Sequence, residues 1–260
     1  MSREPVIKVR NMTAGYDETV ILNNLSFDIY EGEIFVILGG SGCGKSTLLK
    51  HLVGLIPPMS GNIIIDNDDI CSCNEETFSN VLKKVGILYQ SGALFGSMTL
   101  AENIALPMRE YTNLPESAIQ TLVKMKLSLV NLDGFENHLP SEISGGMKKR
   151  AGLARAMALN PKILFFDEPS AGLDPISSID LDNLILHLNK VLGTTMVIVT
   201  HELDSIFTVA QRVIMLDKRT KGIIADGDPK HLRDHSQNQF VKQFFNRLPS
   251  QKDMTGKEFT

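Results

Sequence analysis

A Gly-rich segment that ends in a lysine and a serine carries the clearest chemical signal in the sequence. Residues 39–46 read Gly-Gly-Ser-Gly-Cys-Gly-Lys-Ser, which matches the phosphate-binding pattern G-x-x-x-x-G-K-[ST]. Glycines let backbone N–H groups converge on phosphate oxygens, and the start of the following helix adds a partial positive charge. Lys45 is then placed to reach the β and γ phosphates, and the Ser46 hydroxyl to ligate Mg²⁺. The segment predicts a nucleotide site rather than a Gly-rich turn without function.

Two adjacent carboxylates, Asp167 and Glu168, follow a short apolar run at residues 163–166. In a P-loop nucleotidase, Asp167 can hold Mg²⁺ through the coordination shell of the ion, and Glu168 can polarise the attacking water. Acidic residues are common at strand ends, so the pair alone is a weak signal. The P-loop upstream makes the catalytic interpretation the stronger one.

A second Gly-rich segment, Ser144-Gly145-Gly146, precedes a run with good helix propensity. A serine and two glycines at a helix start leave backbone N–H groups facing outward, so they predict a second anion site in the same chain. The alternative is an ordinary helix cap, in which the serine satisfies only the helix's own backbone.

The hydrophobic pattern predicts the elements that position these residues. Residues 6–9 and 25–29 alternate apolar and polar side chains, as half-buried strands of an antiparallel sheet do. Residues 34–38 are continuously apolar, which indicates a strand buried on both faces, and a helix over residues 45–55 follows the glycines. Further strands are predicted at residues 85–89, 163–166, 196–199, 212–216 and 223–227.

Between residues 91 and 160 helix signals dominate, with Leu122, Met125 and Leu129 at helical spacing. We therefore predict an α/β fold, in which a P-loop ATPase core with a mainly parallel sheet carries an antiparallel β subdomain on its N-terminal side and a helical insertion. In this division residues 1–227 form the ATPase domain, with a helical subdomain at about 91–160. Residues 228–260 form a C-terminal helical extension and tail.

Composition and charge limit the classes of function. The net charge of −4 comes without a long basic block, so nucleic acid is not an expected partner. No apolar run approaches the roughly 20 residues of a membrane-spanning helix, and no signal-peptide core follows the first residues, so we expect a cytosolic chain. The 3 cysteines favour reduced thiols, and Cys71-x-Cys73 is either half a metal site or a pair of loop cysteines.

Six motifs occur in order along the chain. They are residues 39–47, Gln90, residues 143–147, Asp167-Glu168, residues 170–174 and His201. In this order and spacing they resemble the ATPase subunits of ABC transporters, over about residues 6–227. The resemblance implies the fold of an ABC ATPase domain, ATP and Mg²⁺ as cofactors, and hydrolysis of ATP to ADP and phosphate.

The resemblance also implies a role for each matching residue. Catalysis would involve Lys45, Gln90, Glu168 and His201, and Mg²⁺ would be held by Ser46, Gln90 and Asp167. The nucleotide would be contacted by Tyr16, Gly39, Gly40, Ser41, Gly42, Cys43, Gly44, Lys45, Ser46, Thr47, Ser144, Gly145, Gly146 and Asp174. Tyr16 matches the aromatic residue that stacks on adenine, with a purely structural tyrosine as its alternative. Asp174 matches the aspartate that communicates across the dimer.

One position departs from the family pattern. The signature usually reads Leu-Ser-Gly-Gly-Gln, whereas residues 143–147 read Ile-Ser-Gly-Gly-Met, so the anion site remains and the Gln amide is lost. Together with the residues after Gln90 and with residues 107–110, this segment is similar to the ATPases of the mammalian-cell-entry (MCE) lipid transporters, including the bacterial Mla phospholipid-trafficking systems.

This likeness implies partners and a location. Two copies would form a head-to-tail homodimer, in which Ser144, Gly145 and Gly146 of one copy cap the ATP held by Lys45 of the other. ATP binding would close this dimer and hydrolysis would release it, and a separate membrane permease would receive that motion. An MCE-domain protein and a STAS-domain protein would belong to the same complex. The chain would lie on the cytoplasmic face of the inner membrane, attached through the permease, and the cargo would be a lipid, specifically a phospholipid.

Other interpretations remain open at this point. An ABC ATPase for another substrate, or a non-transport ABC ATPase, shares the motifs, although the latter would be expected to carry a coiled-coil insertion, a second ATPase half or a basic face. A P-loop small-molecule kinase would have no use for Ser144 or His201. Leu94 and Phe95 form either a local core or a partner surface. An apolar stripe near the C-terminus packs on the chain's own core or positions residues 249–260 to clasp the partner subunit; it consists of Phe240, Val241, Phe244, Phe245 and Leu248.

Overall fold

The computed structural model describes residues 4–248, and within them ten strands form two sheets. The strands are β1 (Pro5–Tyr16), β2 (Thr19–Tyr30), β3 (Ile34–Gly39), β4 (Ser60–Ile65), β5 (Asp68–Asp69), β6 (Val85–Leu88), β7 (Ile163–Asp167), β8 (Thr195–Val199), β9 (Arg212–Asp217) and β10 (Gly222–Gly227). The helices are α1 (Lys45–Leu52), α2 (Glu75–Leu82), α3 (Leu100–Tyr111), α4 (Glu116–Leu129), α5 (Gly145–Ala156), α6 (Pro175–Leu192), α7 (Leu203–Val209), α8 (Pro229–His235) and α9 (Gln239–Phe245).

The larger sheet has the order β10-β9-β3-β8-β7-β6, and only β10 runs antiparallel to its neighbour. The smaller sheet has the order β2-β1-β4-β5 and is antiparallel throughout. The predicted fold, a mainly parallel core with an antiparallel β subdomain on the N-terminal side, is therefore confirmed. The sequence analysis did not identify β4, although its run Ile63-Ile64-Ile65 is a strand signal.

The central strands bury both faces, and each face belongs to a different hydrophobic core. On β3, Val36 and Leu38 point into the core that contains the helices α3 to α6, whereas Phe35 and Ile37 point into the core beneath the antiparallel sheet. The strands β7, β8 and β9 alternate in the same way. Because each side chain faces a core, these strands read as continuous apolar runs in the sequence.

The helical insertion contains α3, α4 and α5. Thr99 begins α3 with a capping box, in which its hydroxyl accepts from the Glu102 N–H at 3.2 Å and the Glu102 carboxylate accepts from the Thr99 N–H at 2.7 Å. Helix α4 forms as predicted, and Leu122 and Leu129 pack partly buried against the large core. Ile119, Val123 and Leu127 are fully buried on the same helix, whereas Met125 is 56% exposed. The spacing therefore identified the helix, and Met125 alone of the three spaced residues lies on the solvent side.

The C-terminal helices α8 and α9 pack on the same core as α3 to α6. Val241 and Phe245 are buried, Phe240 and Phe244 are partly buried against that core, and Leu248 is 57% exposed. The ring of Phe245 lies 5.8 Å from that of Phe207 on α7. The core-packing interpretation of the apolar stripe is thus confirmed for all but its last residue. The proposed clasp, residues 249–260, lies outside the described residues, and the boundary at residue 227 stays a prediction.

We predict that Phe245→Ala lowers the free energy of unfolding by about 3 kcal/mol, because it removes a buried aromatic side chain and leaves a cavity. Leu248→Ala is the matched control on the exposed side and should change it by less than about 0.5 kcal/mol. Urea denaturation followed by circular dichroism measures both. Equal effects of the two substitutions would contradict the packing of α9 described above.

Candidate functional site

The predicted catalytic residues follow four neighbouring strands of the larger sheet, in the order β3, β8, β7 and β6. The P-loop follows β3, His201 follows β8, Asp167 and Glu168 lie at the end of β7, and Gln90 follows β6. Since the strands are parallel, all of these residues lie at one edge of the sheet. Ligands of open α/β sheets bind at this carboxyl edge.

The P-loop connects β3 to α1 by a turn that requires glycine at its first position. Gly39 has φ +155°, and a Cβ there would lie 2.5 Å from the Leu216 carbonyl oxygen and from the Cys43 sulfur. A Cβ at Gly40 or Gly42 would meet no atom within 4 Å, so the backbone at these positions is open on one side. The Lys45 ammonium folds over this loop and donates to the carbonyl oxygens of Gly39 at 3.0 Å and Gly40 at 3.3 Å.

The side chains of the P-loop divide between the core and solvent. Cys43 and Thr47 are buried, and burial raises the pKa of the Cys43 thiol. Cys43 can therefore offer a nucleotide only its backbone. Ser41 and Ser46 are exposed at the same loop and offer hydroxyl groups.

Asp167 and Glu168 have different surroundings although they are adjacent. Burial, and secondarily the charge of Glu168, raises the pKa of the Asp167 carboxyl, while Lys50 and Lys45 oppose this rise. Glu168 adopts a left-handed backbone conformation with φ +48°, which is unusual for a residue with a side chain. Its N–H donates to the Val199 carbonyl oxygen at 2.8 Å, which fixes the residue across the end of β8.

His201 lies against Glu168. The Nδ1 atom of the imidazole is 2.9 Å from one carboxylate oxygen of Glu168 and 3.0 Å from the other. The side chain of Glu168 is 14% exposed and that of His201 is 56% exposed, so the carboxylate is sheltered and the ring reaches solvent. A histidine and a carboxylate from neighbouring strands thus form one hydrogen-bonded pair beside the P-loop.

Gln90 is exposed at the start of the loop that leads to α3, and this loop packs closely against α5. A Cβ at Gly152 would lie 2.8 Å from the Gly92 carbonyl oxygen, so the close approach depends on glycine. Arg155 donates to the Ala93 carbonyl oxygen at 2.8 Å and to that of Gly92 at 3.3 Å. Close backbone packing and two side-chain hydrogen bonds therefore join the Gln90 loop to α5.

The two apolar residues of the Gln90 loop behave differently. Leu94 is partly buried and packs against the large core, as the local-core interpretation predicts. Phe95 is 51% exposed, with the Arg155 guanidinium 5.8 Å from its ring centroid. The partner-surface interpretation therefore remains a prediction for Phe95 alone.

Tyr16 is joined to α1 rather than free at the surface. Lys50 donates to the Tyr16 hydroxyl at 3.2 Å and lies 5.5 Å from the ring centroid. Hydrogen bonds with Thr47 and then with Lys50 lower the pKa of the Tyr16 phenol. The ring remains 39% exposed, so the stacking and the structural interpretations are both compatible with its position.

Ser144 and Asp174 each cap a helix. The Ser144 hydroxyl accepts from the Met147 N–H at 3.2 Å, and the Asp174 carboxylate accepts from Ile176 and Ser177 N–H groups at 3.1 and 3.0 Å. The Ser177 side chain holds the pKa of the Asp174 carboxyl below its usual range. The ordinary-cap interpretation thus describes the local bonds of Ser144, and its hydroxyl hydrogen is still available to an anion.

The structure brings the segments of Ser144 and Asp174 together but not next to the P-loop. A Cβ on Gly146 would lie 3.6 Å from the Ser177 side chain, so α5 and α6 begin side by side. Helix α1 instead packs on β1, β3, β7 and β8. No hydrogen bond or ion pair among residues 4–248 joins Ser144 or Asp174 to the P-loop.

The unusual signature residue and three basic residues complete the site. Met147 packs partly buried against the large core, where an apolar side chain fits and an amide would lose hydration. The sequence analysis missed Lys50, Lys149 and Arg155, which make the contacts between segments. Lys149, Gly152 and Leu153 recur at helical spacing on the buried face of α5, and this periodicity was the available signal.

Comparisons with known proteins agree with this geometry. The sequence model of the ABC transporter family matches residues 22–171. The probable ribonucleotide transport ATP-binding protein mkl of Mycobacterium leprae is 43% identical over 92% of this chain and 68% of its own length. The intermembrane phospholipid transport system ATP-binding protein MlaF of Haemophilus influenzae is 42% identical over 92% of this chain and 89% of its own length. The dimeric post-hydrolysis structure of the cassette MJ0796 with ADP and Pi has a TM-score of 0.77 at 29% identity and covers 85% of this chain and 98% of that one.

The chain therefore belongs to the ABC transporter family. It is an ATP-binding subunit that hydrolyses ATP, of the kind that works as a dimer with a membrane permease. Within residues 4–248, none of the helices combines the length and the apolar character that crossing a membrane requires.

We predict that Gly39→Ala lowers the free energy of unfolding by about 2 kcal/mol or more, since a Cβ there collides with backbone and the conformation disfavours a side chain. Gly40→Ala is the matched control, because its Cβ meets nothing within 4 Å. Denaturation curves of both variants without nucleotide provide the comparison. A Gly39→Ala protein as stable as Gly40→Ala would show that the turn relaxes at no cost.

Proposed function

We propose that this chain hydrolyses ATP with Glu168 as the general base and couples the reaction to lipid transport by a separate permease. The observation that carries the catalytic assignment is the Glu168–His201 pair at 2.9 Å, at the same sheet edge as the P-loop. Glu168 accepts the proton of the attacking water, and its sheltered position keeps the carboxylate oriented. His201 holds that carboxylate through Nδ1, and Lys45 stabilises charge that develops on the phosphates. Gln90 contributes to catalysis from the loop that follows β6, at the same sheet edge.

The residues around Asp167 fit Mg²⁺. The Ser46 hydroxyl, the Asp167 carboxylate and the Gln90 amide oxygen are hard oxygen donors, which this ion prefers. Burial raises the pKa of Asp167, and a cation beside this carboxyl would offset that cost. When bound, Mg²⁺ would neutralise charge on the β and γ phosphates.

The nucleotide site requires a second copy of the chain. Ser144, Gly145 and Gly146 begin α5 beside α6 and make no bond to the P-loop of their own chain, so we assign them to the ATP held by Lys45 of the partner, with Asp174 beside them. Ile176 and Ile179 at the start of α6 are 74% and 59% exposed. Apolar side chains of this size at the edge of the anion site favour a covered surface. In this homodimer, Tyr16 stacks on adenine, and the backbone of residues 39–44 together with Ser41 and Thr47 surrounds the phosphates.

The cargo assignment follows from the relatives and from the sequence motifs. The relative MlaF is named as the ATP-binding protein of an intermembrane phospholipid transport system, and it matches this chain over most of both lengths. The mycobacterial relative is described as a ribonucleotide transport protein, which makes ribonucleotides the second candidate cargo. We propose phospholipid because the Ser-Gly-Gly-Met signature and the Gln90 loop share the MCE-transporter pattern. The complex would include a permease, an MCE-domain protein and a STAS-domain protein, and this chain would lie on the cytoplasmic face of the inner membrane.

The composite site predicts complementation between two inactive subunits. Lys45→Ala removes the P-loop cation and Ser144→Arg blocks the opposite face, so each homodimer has no intact site. A mixed dimer has one intact site, and mixing should restore ATP hydrolysis to a measurable fraction of the wild-type rate. Phosphate release is measured after mixing at a fixed total concentration, and co-purification on a tag confirms mixed dimers. Dimers of one wild-type and one Lys45→Ala subunit are the control, because they show whether one intact site is enough for turnover. If this control is active and the Lys45→Ala/Ser144→Arg dimer is inactive, the trans arrangement is contradicted.

The cargo proposal predicts ATP-dependent movement of phospholipid by the complete complex. The tagged chain is purified with its membrane partners and reconstituted into liposomes that contain a fluorescent phospholipid. Transfer of the probe should require ATP and should be lost with Glu168→Gln, which keeps ATP binding but lacks the base, at a typical cost of about 10² to 10⁴ in rate. The same liposomes loaded with radiolabelled ribonucleotide test the second candidate. ATP-dependent movement of the ribonucleotide alone would overturn the lipid assignment.

A further inference from the structure

A lysine inside the protein joins α5 to the loop that carries Glu168. Lys149 lies in the second turn of α5 and is 6% exposed. Its ammonium donates to the carbonyl oxygen of Pro169 at 2.5 Å and to that of Ala171 at 2.5 Å. One side chain therefore holds both sides of the turn that directly follows Glu168.

Burying this cation has a cost that needs a compensating gain. Desolvation lowers the pKa of Lys149, and the charge of Glu168 opposes that shift. None of the ion pairs among residues 4–248 includes Lys149, so the two backbone carbonyls are its hydrogen-bonding partners. An apolar residue at this position of α5 would avoid the desolvation. The lysine is thus better explained by what it holds than by packing alone.

The turn that it holds has few other polar ties. Ser170 lies between the two carbonyls and is 5% exposed, but its hydroxyl makes no hydrogen bond within the described residues. The Ala171 N–H donates to the Glu168 carbonyl oxygen at 3.2 Å, which closes the turn on itself without fixing it to the fold. Glu168 itself has φ +48°, a conformation that persists only where the surroundings hold it. The Glu168 N–H bond to Val199 restrains the residue from β8, and Lys149 restrains the turn that follows it from α5.

The N-terminal end of the same helix serves the opposite nucleotide in the proposed dimer. Ser144 caps α5, and under the proposed function its segment contacts the ATP of the partner subunit. Lys149 lies little more than one turn further along and contacts the loop of the chain's own catalytic base. A rigid helix between them makes the position of one depend on the position of the other.

We infer that Lys149 is a positioning residue, which fixes the Glu168 loop against α5 so that the base is placed correctly only when α5 is. This inference rests on the proposed function of Glu168 and Ser144. It assigns to the Lys149 ammonium a role in turnover and none in nucleotide binding, because the P-loop lies at a different strand end.

Lys149→Met keeps most of the length of the unbranched side chain and removes its charge and donors. We expect kcat for ATP hydrolysis to fall roughly 10- to 100-fold, because misplacement of a catalytic group by about 1 Å has effects of this size. The KM for ATP, and the Kd of a fluorescent ATP analogue, should change less than about threefold. Lys148→Met is the matched control on the neighbouring residue and should leave all three values within twofold of wild type.

Combination with Glu168→Gln separates positioning from general damage. If Lys149 acts through Glu168, adding Lys149→Met to Glu168→Gln should lower the residual single-turnover rate less than twofold, although it lowers the wild-type rate at least tenfold. An equal fold-loss in both backgrounds, or Lys149→Met turnover within twofold of wild type, overturns the inference. Should thermal unfolding show that Lys149→Met is not folded, Lys149→Gln is measured in the same two backgrounds. Wild-type turnover by Glu168→Gln alone would instead refute the proposed function.

Discussion

The site depends on the burial of the central parallel strands on both faces. Because β3, β7 and β8 are covered by one core on each side, their register is fixed, and so is the relative height at which they end. The P-loop, the Glu168–His201 pair and Asp167 begin at those ends. The two hydrophobic cores therefore place Glu168 and His201 on neighbouring strand ends, where local hydrogen bonds complete the pair at 2.9 Å.

In the proposed dimer, a single chain would present two unlike surfaces to nucleotide. The P-loop surface is built on β3 and α1, and the Ser144 surface on the helical insertion beside α6. Two side chains of α5 make polar contacts between these surfaces. Arg155 contacts the Gln90 loop, and Lys149 contacts the Glu168 loop. These contacts join the helical insertion to the α/β core near the proposed catalytic residues Gln90 and Glu168. Rearrangement of the insertion would consequently reach the catalytic edge through the buried Lys149, the half-buried Arg155 and the backbone carbonyls that they contact.

Much of the fold could be predicted, because continuous apolar runs and glycine patterns report directly on burial and on turns. Residues 34–38 and 163–166 were recognisable as buried strands on this basis, whereas the helix at residue 45 ends at Leu52 rather than at residue 55. The exposure of Met125 on α4 was not predictable, since spacing alone does not say which positions a neighbour covers. Contacts from Lys149 to backbone carbonyls were equally invisible, because they depend on distant segments meeting in space.

The link between Tyr16 and α1 bears on how the nucleotide would be recognised. Lys50 and Thr47 hold the phenol from the helix whose first turn carries Lys45 and Ser46. The proposed base-stacking ring is thus tied to the helix that follows the phosphate-binding loop, although Tyr16 belongs to the antiparallel sheet. A ring held in this way before a ligand arrives would reduce the conformational entropy that is lost on binding.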